Sequence, residues 1–164
     1  MLRRTAPLLT CLLAVPALAL APLGTTDTKV GDTLRLTGLD SGEALDVTVT
    51  KVVEPAHPKD SYLKPSAGDH LVAVQFRLKN TGTTVYDDSP SNGATVIDKN
   101  GQRFSDSFND STAGPSFPGS ITISPGKEAL GFITFEVPKA SRVITVQFAM
   151  DSGFSDDVGE WQVP

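Results

Sequence analysis

The chain has 164 residues, with 14 basic and 19 acidic side chains and a single cysteine. That length fits one domain and is short for two. The acidic balance argues against nucleic-acid binding, because a negative domain repels phosphate backbones and anionic lipid surfaces; the same charge is an ordinary means of staying soluble outside a cell.

The first residues read as a leader. Arg3 and Arg4 give a basic start, and an apolar run extends from Ala6 to Ala21. Ala17-Leu18-Ala19 and Ala19-Leu20-Ala21 both fit a small-residue cleavage site. Cutting after Ala21 would place Pro22 against the scissile bond, so cleavage after Ala19 is expected, with processing possible up to residue 21. Pro7 and Pro16 interrupt the run, which falls short of the about 20 strongly apolar residues that a span needs. No stable membrane span is therefore expected after processing. Cys11 lies inside the leader rather than at its end, so a lipid-modified cysteine is not expected, and the mature chain has neither disulfide nor thiol chemistry. Losing Arg3 and Arg4 leaves 12 basic against 19 acidic residues, a net charge of −7. The expected organisation is a signal peptide at 1–19, a short polar lead-in at 20–28 and one domain at 29–164.

Within that domain the dominant signal is two-residue alternation, which places successive side chains on opposite faces of a strand. Val30-Gly31-Asp32 opens the domain, and Leu34 and Leu36 alternate with Thr33, Arg35 and Thr37 in a first strand. Asp40-Ser41-Gly42 is a turn. Glu43 to Glu54 forms the second strand, with Leu45, Val47 and Val49 on one face; Val52-Val53 breaks the rhythm and predicts a bulge that exchanges the buried face. A loop carrying Pro55, Pro58 and Pro65 follows.

The central strand is His70 to Lys79, with Val72, Val74, Phe76 and Leu78 on one face and Asn80-Thr81-Gly82 as its stop. Thr83 to Tyr86 reads as a brief edge strand, and Asp87 to Gly93 as a polar loop. Thr95 to Asp98 and Arg103-Phe104 flank Asn100-Gly101, a hairpin signal in which both turn residues take positive φ. Residues 105–119 read as an open polar loop. Ser120 to Ser124 is a strand, and Pro125-Gly126 a tight turn. Ala129 to Val137 is apolar on both faces, which predicts cover from both sides or from a nearby loop. Val143 to Met150 and Val158 to Val163 complete the set. The expected fold is all-β: an immunoglobulin-like sandwich of two antiparallel sheets with seven to nine strands, a closed barrel being the competitor.

The order of several motifs adds to this. Val30-Gly31-Asp32 is followed by Glu54-Pro55-Ala56, by Gly68 leading into LVAVQFRLKNTG, by Asp98-Lys99-Asn100-Gly101, by Ser124-Pro125-Gly126-Lys127, and by Phe135-Glu136-Val137-Pro138. Together they resemble the secreted bacterial immunoglobulin-like domains of unknown function related to the mycobacterial immunoprotective extracellular antigen. The resemblance covers nearly all of the mature chain. It implies an immunoglobulin-like sandwich outside the membrane of an actinobacterium, with no catalytic residues to carry over. Many relatives are lipid-anchored behind a Ser/Gly/Thr-rich linker; neither feature is read here, which points to free secretion.

Chemistry-bearing residues are sparse. His57 and His70 flank the Pro-rich loop and could hold zinc only by converging with a carboxylate such as Asp60 or Asp69. Gly114-Pro115-Ser116 and Gly119-Ser120 do not match a nucleophile elbow. Asp106, Asn109 and Asp110, and separately Asp151, Asp156, Asp157 and Glu160, offer oxygen atoms to calcium without matching a known calcium loop. Trp161 is expected to close the core, while Tyr62 and Phe117 could serve a contact surface or fold back over a sheet end. No catalytic, cofactor-binding or metal-binding residue is assigned. The expected function is a secreted, non-enzymatic module that binds an unknown protein or envelope ligand; the alternatives are an extracellular hydrolase and a calcium-dependent adhesion-type module.

Overall fold

The structure, a computed structural model, describes residues 27–164. The leader and its cleavage site lie outside the described residues.

Ten strands follow in order: β1 (Thr33–Thr37), β2 (Ala44–Ala56), β3 (Asp69–Asn80), β4 (Tyr86–Asp88), β5 (Ala94–Asp98), β6 (Arg103–Phe104), β7 (Ile121–Ile123), β8 (Glu128–Pro138), β9 (Val143–Ala149) and β10 (Val158–Gln162). One sheet runs β1-β2-β3-β8, a second runs β10-β9-β5-β6, and β4 with β7 forms a small ribbon. Every ladder between these strands is antiparallel. Three of the ten, β4, β6 and β7, are only two or three residues long, which leaves seven longer strands.

β3 lies inside its sheet, between β2 and β8. Val72, Val74, Phe76 and Leu78 are all fully buried, while Arg77 and Lys79 are exposed, as the alternation predicts. Burying each such side chain contributes about 1.5–3 kcal/mol before chain entropy is subtracted. The second sheet supplies the other half of the core: the Phe76 ring lies 5.5 Å from Phe148 of β9, tilted by 45°. Trp161 of β10 is fully buried, and its indole N–H donates to the Asp32 carbonyl at 2.9 Å, so it closes the core. Asn80 stops β3 by side-chain bonding. Its amide donates to the Thr84 and Ile123 carbonyls and its oxygen accepts from Gly82 N–H.

The irregularities are equally specific. In β2 the register slips between Val49 and Lys51, so Thr50 is an extra residue. Before it Leu45, Val47 and Val49 face the core; after it Val52 packs on the core and Val53 joins a second cluster on the sheet's outer face. The Thr50 hydroxyl donates to Gln75, which holds the bulge. That outer cluster consists of Ala56, Leu71, Ala73 and Phe132, so β8 is indeed apolar on both faces, although Leu130 remains exposed.

Three expectations need correction. Residues 83–85 are not strand: Thr83 and Thr84 donate instead to the Gly42 carbonyl, and β4 begins only at Tyr86, where Ile123 is available as partner. The 87–93 segment is not a plain loop, because Pro90–Gly93 makes a one-turn helix, α1, whose proline supplies a first position that needs no N–H. The β5–β6 turn has positive φ at Gly101 alone, not at Asn100. Asp98 makes this possible, since one carboxylate oxygen accepts both Asn100 and Gln102 N–H groups and fixes the turn without a second left-handed residue.

Candidate functional site

Residues 57–68 and 105–119 are far apart in sequence but meet in space. Lys59 N–H donates to the Asp110 carbonyl at 2.9 Å, and Thr112 N–H donates to the His57 carbonyl at 2.9 Å. Pro58 and Ser111 form an isolated bridge between them. The second segment then runs along the free edge of β8. Ser107 N–H donates to Thr134 O at 2.7 Å, Phe117 N–H to Phe132 O at 3.1 Å, and Phe132 N–H to Pro115 O at 2.9 Å. The 105–119 segment is therefore not the open loop expected; it satisfies backbone groups that an uncovered edge strand would leave unpaired.

Two glycines allow this close approach. A Cβ at Gly114 would fall 2.5 Å from the Phe132 ring, and one at Gly131 would fall 2.7 Å from the Phe117 ring. Phe117 consequently folds back onto β8 and the core rather than facing solvent. Glu136 of β8 fastens both segments at once. It accepts Ser66 N–H at 2.7 Å and the Asn109 amide at 3.4 Å. The Ser66 hydroxyl and then its N–H hold the Glu136 carboxyl below its ordinary value of 4.5, outweighing partial desolvation.

The 105–119 segment and β8 border an open cavity of about 160 Å³, lined by Ser107, Asn109, Ser116, Phe117 and Thr134, and residues 57–68 add a wider cleft of about 490 Å³ beside it. Lys59, Asp60, Ser61 and Leu63 line the cleft, and Phe108 and Asp110 border both spaces. At the exposed boundary between the two, Ser116 Oγ donates to Asp110 Oδ1 at 2.6 Å, and Lys59 Nζ stands 3.9 Å from Asp110 Oδ2. Thr134 is 3% exposed, and its hydroxyl is buried with no hydrogen-bond partner. Phe108 and Leu63, which border the cleft, are 103% and 53% exposed, and Tyr62, between the cleft residues Ser61 and Leu63 in sequence, is 92% exposed.

The remaining residues singled out from sequence fall elsewhere. His70 sits in a separate groove of about 450 Å³ lined by Glu54, Pro55, Lys139, Ser141 and Arg142. There Glu54 faces His70 Nε2 at 3.0 Å and accepts Val143 N–H at 3.2 Å, so the pair ties β2 and β3 to the start of β9. His57 is exposed on the other side of the Pro-rich loop, and neither Asp60 nor Asp69 joins His70. The acidic residues near the C-terminus are spread among protein donors: Asp157 accepts from Thr37, Asp151 from Leu39 N–H, and Glu160 from Gln147 and Gln162. Among the described residues, no group of three or more His, Cys, Asp or Glu is placed to hold a metal ion.

Sequence reasoning missed Phe108, Leu63, Thr134 and Glu136. Phe108 did carry a signal: it is the only apolar residue in Ser105-Asp106-Ser107-Phe108-Asn109-Asp110, and a polar segment needs no phenyl ring for its own packing. Thr134 is the polar break in the apolar run Ala129–Phe135.

The architecture defines the class: a β-sandwich of antiparallel sheets. The chain belongs to the DUF4352 family, a domain of unknown function, whose profile matches residues 38–158. Two solved structures share the fold. One is the yjhA protein from Bacillus subtilis, at 18% identity and a TM-score of 0.57, covering 84% of this chain and 99% of that one. The other is the secreted protein MPT63 from Mycobacterium tuberculosis, at 20% identity and a TM-score of 0.56, covering 82% of this chain and 94% of that one. No curated protein sequence matches the chain significantly. Among the described residues, no helix is long and apolar enough to cross a membrane.

Proposed function

We propose that this is an exported, non-enzymatic binding module that acts at the actinobacterial cell envelope or in the medium, with the paired loops as its contact face. Export is supported by the basic start, apolar run and small-residue site in residues 1–21, and by the fold shared with a secreted protein. The observation that carries the binding assignment is the seating of the rim. Tyr62, Leu63 and Phe108 are exposed on segments pinned to each other and to β8 by backbone hydrogen bonds. Exposed aromatic side chains add nothing to the core, yet they are the side chains that dominate binding energy when a partner desolvates them. A rigid support lowers the ordering cost of that step.

A binding role also fits the internal chemistry. The hydroxyl of Ser116 is committed to Asp110, and neither histidine borders the two spaces, so the serine has no imidazole beside it to serve as general base.

The test is retention of envelope material on the immobilised mature protein. Wild type is expected to retain a component that the Tyr62→Ala/Phe108→Ala double variant releases, with both proteins melting alike. Equal retention by both, or none by either, would overturn the assignment of this face.

A further inference from the structure

We propose that the inner cavity and its aromatic rim bind a neutral sugar residue of a glycan; this rests on the reading of the paired loops as the contact face. A pyranose presents hydroxyls around its edge and weakly polar C–H groups on its faces, so it needs alternating donors and acceptors beside aromatic surface. The cavity offers both: the hydroxyls of Ser107 and Thr134, the acceptor lone pairs that the Ser116–Asp110 pair leaves over, and the second N–H of the Asn109 amide beside its bond to Glu136, with Phe117 behind them.

The unpartnered Thr134 hydroxyl points to a ligand independently of that composition. A buried polar group without a partner is held away from water uncompensated, and a ligand hydroxyl arriving within reach would supply the missing bond. The cavity also discriminates. Asp106 and Asp110 border it, which disfavours anions, and its hydroxyl-rich lining disfavours a purely hydrocarbon ligand. The adjoining cleft, with Phe108 at the shared wall and Leu63, Lys59 and Asp60 beyond, provides room for neighbouring residues of an oligosaccharide.

The experiment is a nitrogen-15 chemical-shift titration of the mature protein with gluco-, manno-, galacto- and N-acetylglucosamine oligosaccharides at millimolar concentration. At least one series is expected to shift the amides of Ser107, Asn109, Ser116, Phe117 and Thr134 as a group. Phe108→Ala should weaken that sugar about three- to tenfold, the range set by losing one aromatic contact. Thr134→Val, which preserves shape, should weaken it comparably while the rest of the spectrum is unchanged. The proposal is overturned if no sugar moves these amides, if shifts fall elsewhere, or if putrescine produces the same shifts and displaces the sugar, which would make this a cation site. Phe108-dependent retention of envelope material without any sugar response would remove the sugar and keep the contact face; loss of both responses would remove both.

Discussion

Glu54 and Asp110 are both carboxylates beside a loop, and they are used in opposite ways. Glu54, at the end of β2, meets His70 and the Val143 backbone, so its oxygens end on the scaffold and join strands of both sheets. Asp98 behaves the same way: buried, it accepts from the Ser141 hydroxyl and from Gln102 and Asn100 N–H groups. Burial alone would raise its pKa, but those hydrogen bonds together hold it below the ordinary value of 3.8. Asp110 pairs with a serine hydroxyl and a distant, exposed lysine, beside a threonine hydroxyl that has no partner and aromatic rings that have no cover. Polar groups whose bonds close on the scaffold are accounted for by folding. Groups left open next to exposed rings are not, and that difference locates the contact face.

The contrast can be broken or sharpened by substitution. The largest effect belongs to the scaffold itself. Phe76→Asp places a charge where the side chain is fully buried, with no compensating partner, and should abolish cooperative unfolding of the purified domain; a variant that melts like wild type would refute the β3 assignment. Next, Glu54→Ala strands the Val143 N–H and removes the partner of His70, which should cost about 1–3 kcal/mol in urea unfolding while leaving the paired loops intact. An unchanged midpoint would show that Glu54 is not a tie between the sheets.

Acid acts on the loops through Glu136. Its folded pKa lies below the ordinary 4.5, so its contribution is present at neutral pH, begins to fade as pH falls below that value, and is lost as pH passes through the lowered folded value. The protection factors of amides 107–117, which already correct for the slowing of intrinsic exchange in acid, should therefore fall on acidification through this window, and Glu136→Gln should flatten that dependence; the same slope in the variant would assign the effect to another group. The smallest effect is expected at Thr134. Because its hydroxyl already lacks a partner, Thr134→Val should leave stability within about 0.5 kcal/mol of wild type or raise it slightly. A loss above that would reveal a hydrogen bond at that hydroxyl.

These differences also explain what could be read in advance. The strands were legible wherever one face is buried, because Val72, Val74, Phe76 and Leu78 or Leu45, Val47 and Val49 record that burial directly as a period of two. The face exchange in β2 was legible from Val52-Val53, though not that Thr50 is the extra residue, since its hydroxyl bond to Gln75 is a pairing across strands. The Asn100-Gly101 hairpin was legible in place but not in backbone detail, because Asp98 substitutes carboxylate bonds for the second positive φ. The meeting of residues 57–68 with 105–119 left almost no local trace. It depends on backbone hydrogen bonds, to which any sequence contributes alike, and on Gly114 and Gly131 lying under two phenyl rings. The site was therefore visible only as its separate parts, Asp60, Tyr62, Asp106, Asn109, Asp110, Ser116 and Phe117.

The most direct test compares two proteins, Glu54→Ala and Tyr62→Ala/Phe108→Ala, each assayed for its melting midpoint and for capture of envelope ligand. A loss of about 1–3 kcal/mol predicts a midpoint about 2–12 °C lower for the Glu54 variant, with capture retained, and an unmoved midpoint with capture lost for the loop variant. The reverse pattern, with the loop variant destabilised but still capturing, would make the paired loops part of the scaffold and contradict the account.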